Sequence, residues 1–130
     1  MPSLQLFALP TYPAGVKEAL ASQLGRTYAA IMDTPLITIT VVIPDMGADG
    51  VWRCGEDGAE RAALLMCDIR RGRSAERRAS LARQLIADCQ TVAGVDAQRI
   101  KVEFTQHSGD EMYHAHLGGF NDEWSPGETT

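Results

Sequence analysis

Apolar residues along this chain change period several times, and each change marks an element. Leu4-Gln5-Leu6-Phe7-Ala8-Leu9 is a short apolar run of strand length that ends at Pro10. The stretch Pro10-Thr11-Tyr12-Pro13-Ala14-Gly15 then predicts a turn from its proline and glycine content. From Val16 the apolar positions fall three or four apart, at Val16, Leu20, Leu24, Tyr28 and Ile31, which places them on one face of a helix closed by Asp33-Thr34-Pro35. Leu36 to Ile43 alternates β-branched residues, with Thr38 and Thr40 on one face, and predicts a strand. Strand, helix and strand make a βαβ unit over 2–44, whose helical crossover sets the two strands parallel.

Residues 44–60 read as a loop, with Gly47, Gly50, Gly55 and Gly58 and the turn-prone pairs Asp49-Gly50 and Asp57-Gly58. Its Asp45, Asp49 and Asp57 do not have calcium-loop spacing, and Trp52 within it suits either the cover of a pocket or interface or a minor packing contact. Ala62 to Ile69 is apolar enough for a strand, and Arg70-Arg71-Gly72-Arg73 turns the chain into a second helix. Ser74 is placed to cap that helix, Leu81, Leu85, Cys89 and Val92 form its buried stripe, and Gly94 ends it. Arg99 to Thr105 alternates, which predicts a strand that buries Ile100, Val102 and Phe104. The second unit therefore spans 61–106. A tail over 107–130 holds a possible edge strand at Met112 to Leu117 and an end expected to be mobile.

The two units repeat. Leu20-Ala21-Ser22-Gln23-Leu24 matches Leu81-Ala82-Arg83-Gln84-Leu85 at an offset that also sets Leu4 over Leu65, Pro2 over Ala63 and Ile39-Thr40-Val41 over Ile100-Lys101-Val102. The expected fold is a single α/β (α+β) domain in which a tandem βαβ repeat builds a four-stranded sheet with both helices on one face. The other face is left uncovered, so an oligomer is expected.

Composition narrows the function. The chain has 130 residues, 45% of them apolar, and a net charge of -5, which argues against a nucleic-acid surface. No apolar run is long enough to cross a bilayer, and the N-terminus lacks the basic and apolar regions of a signal peptide. Three cysteines without paired spacing suit reduced thiols in the cytoplasm. Against the acidic background, six of the twelve Lys and Arg residues fall between Arg70 and Arg83, a local positive field suited to a small anionic ligand.

Pro2 precedes the first strand directly. Once Met1 is removed, as the small second residue permits, Pro2 carries a free secondary amine, and an α-amino group titrates near 8 in model peptides. Burial and nearby cations both disfavour its charged form, so Arg70 and Arg73 near it would leave a neutral base at pH 7. Such a base can take a proton from a carbon beside a carbonyl and return it elsewhere. The guanidinium groups can also hold a carboxylate and stabilise an enolate. Positive charge at the start of a helix opposes its dipole, a conflict that a bound anion would relieve.

The N-terminal proline, the βαβ repeat and Ile69-Arg70-Arg71-Gly72-Arg73 together resemble the tautomerase superfamily, closest to members like cis-3-chloroacrylic acid dehalogenase. The resemblance runs from Pro2 to about Leu117. It implies a homotrimer whose uncovered sheets close into a barrel, a proline in a pocket near subunit boundaries, a small carboxylate substrate and no cofactor. It also implies, for dehalogenation, a tyrosine on the last core strand, a glutamate beyond it and a histidine on the first helix. Glu103 stands at the tyrosine position, His114 at the glutamate position and Tyr28 near the histidine position, so the water-activating set differs in type. Glu103 and His114 are candidates for a proton relay or plain surface residues. His114 and His116, with His107, Asp110 and Glu111 nearby, form only a weak metal-ligand pattern, and no metal is assigned. The expected activity is tautomerisation of a small unsaturated or 2-oxo carboxylate. Hydration, dehalogenation or decarboxylation on the same scaffold, or a non-catalytic oligomeric or anion-binding protein, are the alternatives.

Overall fold

The computed structural model describes residues 2–8 and 11–120. The expected end of the first strand at Pro10 and the terminal stretch from 121 onward lie outside these residues. Six strands and two long helices follow in the order β1 (Ser3–Phe7), α1 (Ala14–Met32), β2 (Thr40–Val42), β3 (Trp52–Arg53), β4 (Glu60–Arg61), β5 (Ala63–Arg70), α2 (Ala75–Ala93) and β6 (Ile100–His107). The main sheet has the order β2-β1-β5-β6. Within each βαβ unit the strands are parallel, β1 with β2 and β5 with β6, and the two units join through the antiparallel β1 and β5.

The repeat holds in three dimensions. Antiparallel pairing sets Gln5 opposite Met66, residues related by the same sixty-one-residue offset that relates α1 to α2, so a local two-fold axis passes between them. On the helical side, the Thr27 hydroxyl donates to the Asp88 carboxylate at 2.5 Å, again sixty-one residues apart. Asp88 is only 5% exposed, and its second oxygen accepts from Gln84, so the buried charge is held by two donors.

Strand alternation explains the core. Leu4 and Leu6 on β1, and Leu65, Cys67 and Ile69 on β5, point toward the helices and are fully buried with Leu20, Leu24, Tyr28, Leu81, Leu85 and Cys89. Each fully buried side chain of this size contributes about 1.5–3 kcal/mol of transfer free energy. The residues between them, including Gln5, Met66, Asp68 and Glu103, lie on the face that carries no helix. α2 starts as its sequence requires, with Ser74 accepting from the Arg77 amide at 3.1 Å, and ends at Gly94 with φ 70°, a left-handed conformation that glycine adopts without strain.

Three expectations need correction. The strand expected from Leu36 to Ile43 begins only at Thr40, because Pro35 starts a 3-10 turn over Leu36–Thr38 in which both Thr38 groups, N–H and hydroxyl, donate to the Pro35 carbonyl. Thr38 is therefore buried while Thr40 is exposed, and they do not share a face. The segment 44–60 contains a short hairpin partner: β3 pairs with β4, and the Trp52 indole donates to the Asp49 carbonyl at 2.9 Å with the Arg61 guanidinium over its ring. In place of an edge strand at Met112 to Leu117, the chain makes 3-10 turns at Gly109–Glu111 and Ala115–Leu117 and a single bridge between His114 and Gly119. Gly118 at φ 66° allows that reversal.

Candidate active site

Pro2 is fully buried where β1 begins, and its carbonyl accepts from the Thr40 amide at 3.0 Å. Register then dictates its surroundings. Ser3 pairs with Thr40 on one side and with Asp68 on the other, and Asp68 pairs with Thr105 on β6. The segment after β6 folds back over this end, so that Pro2, Ser3, Thr40, Asp68, His107, Glu111, Met112, Tyr113 and His114 line one open cavity of about 410 Å³. That volume holds a carboxylic acid of a few carbons.

The cavity wall is polar. Asp68 accepts from the Gln5 amide at 3.0 Å and from the Thr105 hydroxyl, which in turn lies 3.2 Å from Nε2 of His107. Nδ1 of His107 faces the Glu111 carboxylate at 3.4 Å. Hydrogen bonds from the Ser108 hydroxyl and amide, then His107, hold the Glu111 carboxyl below the usual carboxylate range, so it is ionised at neutral pH. Burial, and then the charge of His116, pull His114 below the ordinary imidazole value and favour its neutral form.

A second, shallower depression of about 340 Å³ lies just beyond the same C-terminal end of β5, where Arg70, Arg71, Arg73 and Arg77 gather around Met32 and Asp33 at the end of α1. Gly72 turns the chain there at φ 113°, which disfavours any residue with a Cβ. Arg73 donates to the Met32 carbonyl at 2.7 Å and to the Thr34 hydroxyl at 3.3 Å, and Arg77 donates to the Ile31 carbonyl at 2.7 Å. The arginines at the start of α2 thus meet the unpaired carbonyls and negative dipole end of α1. This is a physical answer to the conflict between positive charge and the start of a helix, and it comes from within the chain.

The candidates named from the sequence divide among these places. Pro2 and His114 share the polar cavity, while Arg70 and Arg73 line the arginine depression. The two meet along β5 and β6, where Arg70 pairs with His107. Tyr28 lies in the core, 1% exposed, and its hydroxyl is pushed up to about 12 by burial, partly offset by the nearby Arg73 charge. Glu103 stands on the helix-free face opposite Met66, next to Lys101 at 3.8 Å. Asp68 and Thr105 were not singled out from the sequence, and His107 and Glu111 only as members of a weak metal-ligand pattern. The available signal was Asp68 itself, an acid interrupting the apolar run from Ala62 to Ile69.

No family model matches the chain, and no curated protein matches it. Among solved structures, it is similar to N1, a member of the cis-3-chloroacrylic acid dehalogenase family, with 21% identity over 98% of this chain and 88% of that one and a TM-score of 0.75. It is similar to the symmetric trimer of the wild-type fused 4-OT Q0, with 24% identity, coverage of 87% and 91% and a TM-score of 0.74. It is also similar to macrophage migration inhibitory factor of Toxoplasma gondii, with 19% identity, coverage of 87% and 96% and a TM-score of 0.71. The chain has the tandem βαβ fold of these proteins, the fold expected from the repeat in its sequence.

Proposed function

We propose that the chain is a cofactor-independent enzyme of the tautomerase superfamily that uses Pro2, freed of Met1, as general base on a small unsaturated or 2-oxo carboxylate. The observation that supports it most is the position of Pro2, buried at the entry of β1 in a polar cavity beside Asp68, His107 and His114. The amine removes a proton from carbon, and the enolate charge is met by Arg70 and Arg73, whose depression adjoins the cavity through the Arg70 and His107 pair. His114, Tyr28 and Glu103 are the further candidates for proton handling. A homotrimer formed through the helix-free sheet face belongs to this reading, by analogy with the symmetric trimer of fused 4-OT. So does a cytoplasmic setting, which fits the free thiols of Cys54, Cys67 and Cys89. Among the described residues, no helix is long and apolar enough to cross a membrane.

The test is the ketonisation of an enolpyruvate by the full chain and by Pro2→Ala, with intact mass measured to show loss of Met1. Pro2→Ala is expected to lose about 10²-fold or more in turnover. Incubation with 2-oxo-3-pentynoate, which inactivates the structurally similar Pt0534, is expected to add one adduct to the Pro2 peptide. Full activity in Pro2→Ala would remove the proposed base. One observation favours a second reading, a non-catalytic carboxylate-binding protein: Arg73 already spends hydrogen bonds on the end of α1. Saturable carboxylate binding with no product would select that reading.

A further inference from the structure

The polar groups beside Pro2 form a connected path with two different ends. Asp68 sits half-buried on β5 next to Ser3, and Glu111 is exposed at the rim. Between them stand the Thr105 hydroxyl, bonded to Asp68, and the His107 ring, with Nε2 3.2 Å from Thr105 and Nδ1 3.4 Å from Glu111. Asp68, His107 and Glu111 all line the cavity that Pro2 lines. The fold does not demand this set. The residues sixty-one positions earlier are Phe7 for Asp68, Pro44 for Thr105 and Met46 for His107, all apolar, although core positions such as Leu4 and Leu65 or Leu24 and Leu85 keep their character across the repeat.

Resting on the reading of Pro2 as the proton-transfer group, we propose that Asp68, Thr105, His107 and Glu111 form a relay that exchanges the proton carried by Pro2 with solvent during turnover. Pro2 lines the cavity with Asp68 and His107, which gives its amine a route to them through that space. When the amine takes a proton from substrate carbon, the C–H electron pair becomes the enolate and nitrogen becomes positively charged. That proton passes across the shared cavity to the Asp68 carboxylate, then through the Thr105 hydroxyl to Nε2 of a neutral His107. The ring gives up its Nδ1 proton to Glu111, which releases it to water. One solvent proton travelling the same path in reverse restores the charged amine, which protonates the second carbon. Proton count and oxidation state are unchanged. The other groups facing the cavity are Ser3 and Thr40 from β1 and β2, and Tyr113 and His114 from the segment after β6. The side-chain hydrogen bonds of Asp68 and His107 run to Gln5, Thr105 and Glu111 and to none of these four side chains, and His114 is held toward its neutral form.

The experiment follows an isotope. An unsaturated 2-oxo acid whose double bond migrates one place toward the carbonyl is deuterated at the carbon that loses its proton and turned over in ordinary water. The wild type is expected to give product with little deuterium at the carbon that gains the proton. His107→Gln, and Thr105→Val, which keeps the shape and removes the hydroxyl, are expected to turn over about tenfold more slowly. Their product should also retain at least several times more deuterium at the new position. A group with a merely structural role would slow turnover without changing retention, so retention is the deciding measurement, and circular dichroism confirms that each variant is folded. Equal washout in wild type and both variants overturns the relay while leaving Pro2 as the base. Turnover that survives in Pro2→Ala overturns the underlying reading instead, and absence of any Pro2-dependent turnover overturns both.

Discussion

The two ends of the sheet are built from matching positions and differ in what they offer a ligand. At one end, Pro2, Asp33 and Arg73 stand near two polar depressions. At the other, the corresponding residues are Ala63, Gly94 and Tyr12, and these three line a smaller, mostly apolar cavity of about 170 Å³ with Val95. The local two-fold axis through Gln5 and Met66 relates the backbone of the two ends, so the backbone alone does not make a site. Side chains outside the core do. The comparison separates what the repeat requires, a shared apolar interior, from what only one end carries, a buried proline, a carboxylate and histidine path and a cluster of arginines.

If the halves are equal partners in stability, equivalent core truncations should cost alike, and this is the largest effect expected. Leu24→Ala and Leu85→Ala each remove a fully buried side chain from facing helices, at a cost of about 2–5 kcal/mol. Chemical denaturation should place the two within about 1 kcal/mol of each other, given the spread that local collapse produces. A much smaller loss for one would show that its half folds around the other.

These halves were legible in the sequence to very different degrees. α2 was read almost to the residue, because Ser74 and Gly94 are local signals that act through their own neighbours. β5 followed from its apolar run and β6 from alternation. β2 was overestimated because β-branched residues after Pro35 read as strand, while the parallel pairing with β1 extends only over Ser3, Leu4 and Gln5. The meeting of Asp68, Thr105 and His107 depends on the register between β5 and β6, and that of His107 with Glu111 on a 3-10 turn, neither of which has a local signature. Arg73 was legible as a charge out of place at a helix start. Its bond to the end of another helix was not, since that partner lies forty-one positions away.

That bond provides an intermediate prediction, because it exists in only one half. Arg73→Ala removes the guanidinium donor from the Met32 carbonyl and the Thr34 hydroxyl, and leaves the end of α1 held by Arg77 on Ile31 and by the Thr34 hydroxyl on Met32. The expected loss is about 1.5–3 kcal/mol, toward the lower figure because Arg73 is half-exposed. Tyr12→Ala at the matching position of the other end removes no helix cap, and hydrogen exchange should show the contrast as faster exchange in the last turn of α1 for Arg73→Ala alone. Equal exchange in both variants would mean that the arginine does not hold α1.

The smallest effect concerns the residues that end the two helices. Asp33 closes α1 at φ 52° and ψ 58°, and Gly94 closes α2 at φ 70° and ψ 20°. An L-residue in this conformation is strained by its Cβ, less so for aspartate than for most, and a carboxylate at a helix C-terminus also meets the negative end of the dipole. Asp33→Gly relieves both, against the larger chain entropy of glycine in the unfolded state. A net gain of about 0.5–1 kcal/mol is expected from these terms, and Gly94→Asp should lose a similar amount. The substitution also acts on the arginine depression, which Asp33 lines with Arg70, Arg71, Arg73 and Arg77. Taking one negative charge away from that cluster should tighten carboxylate binding there by a few-fold at low salt, and the gain should fade as salt screens it. Titration calorimetry with a small 2-oxo acid measures this directly. Tighter binding together with higher stability would mean that Asp33 restrains the arginines rather than organising them; weaker binding would mean that it holds them in the geometry a carboxylate needs.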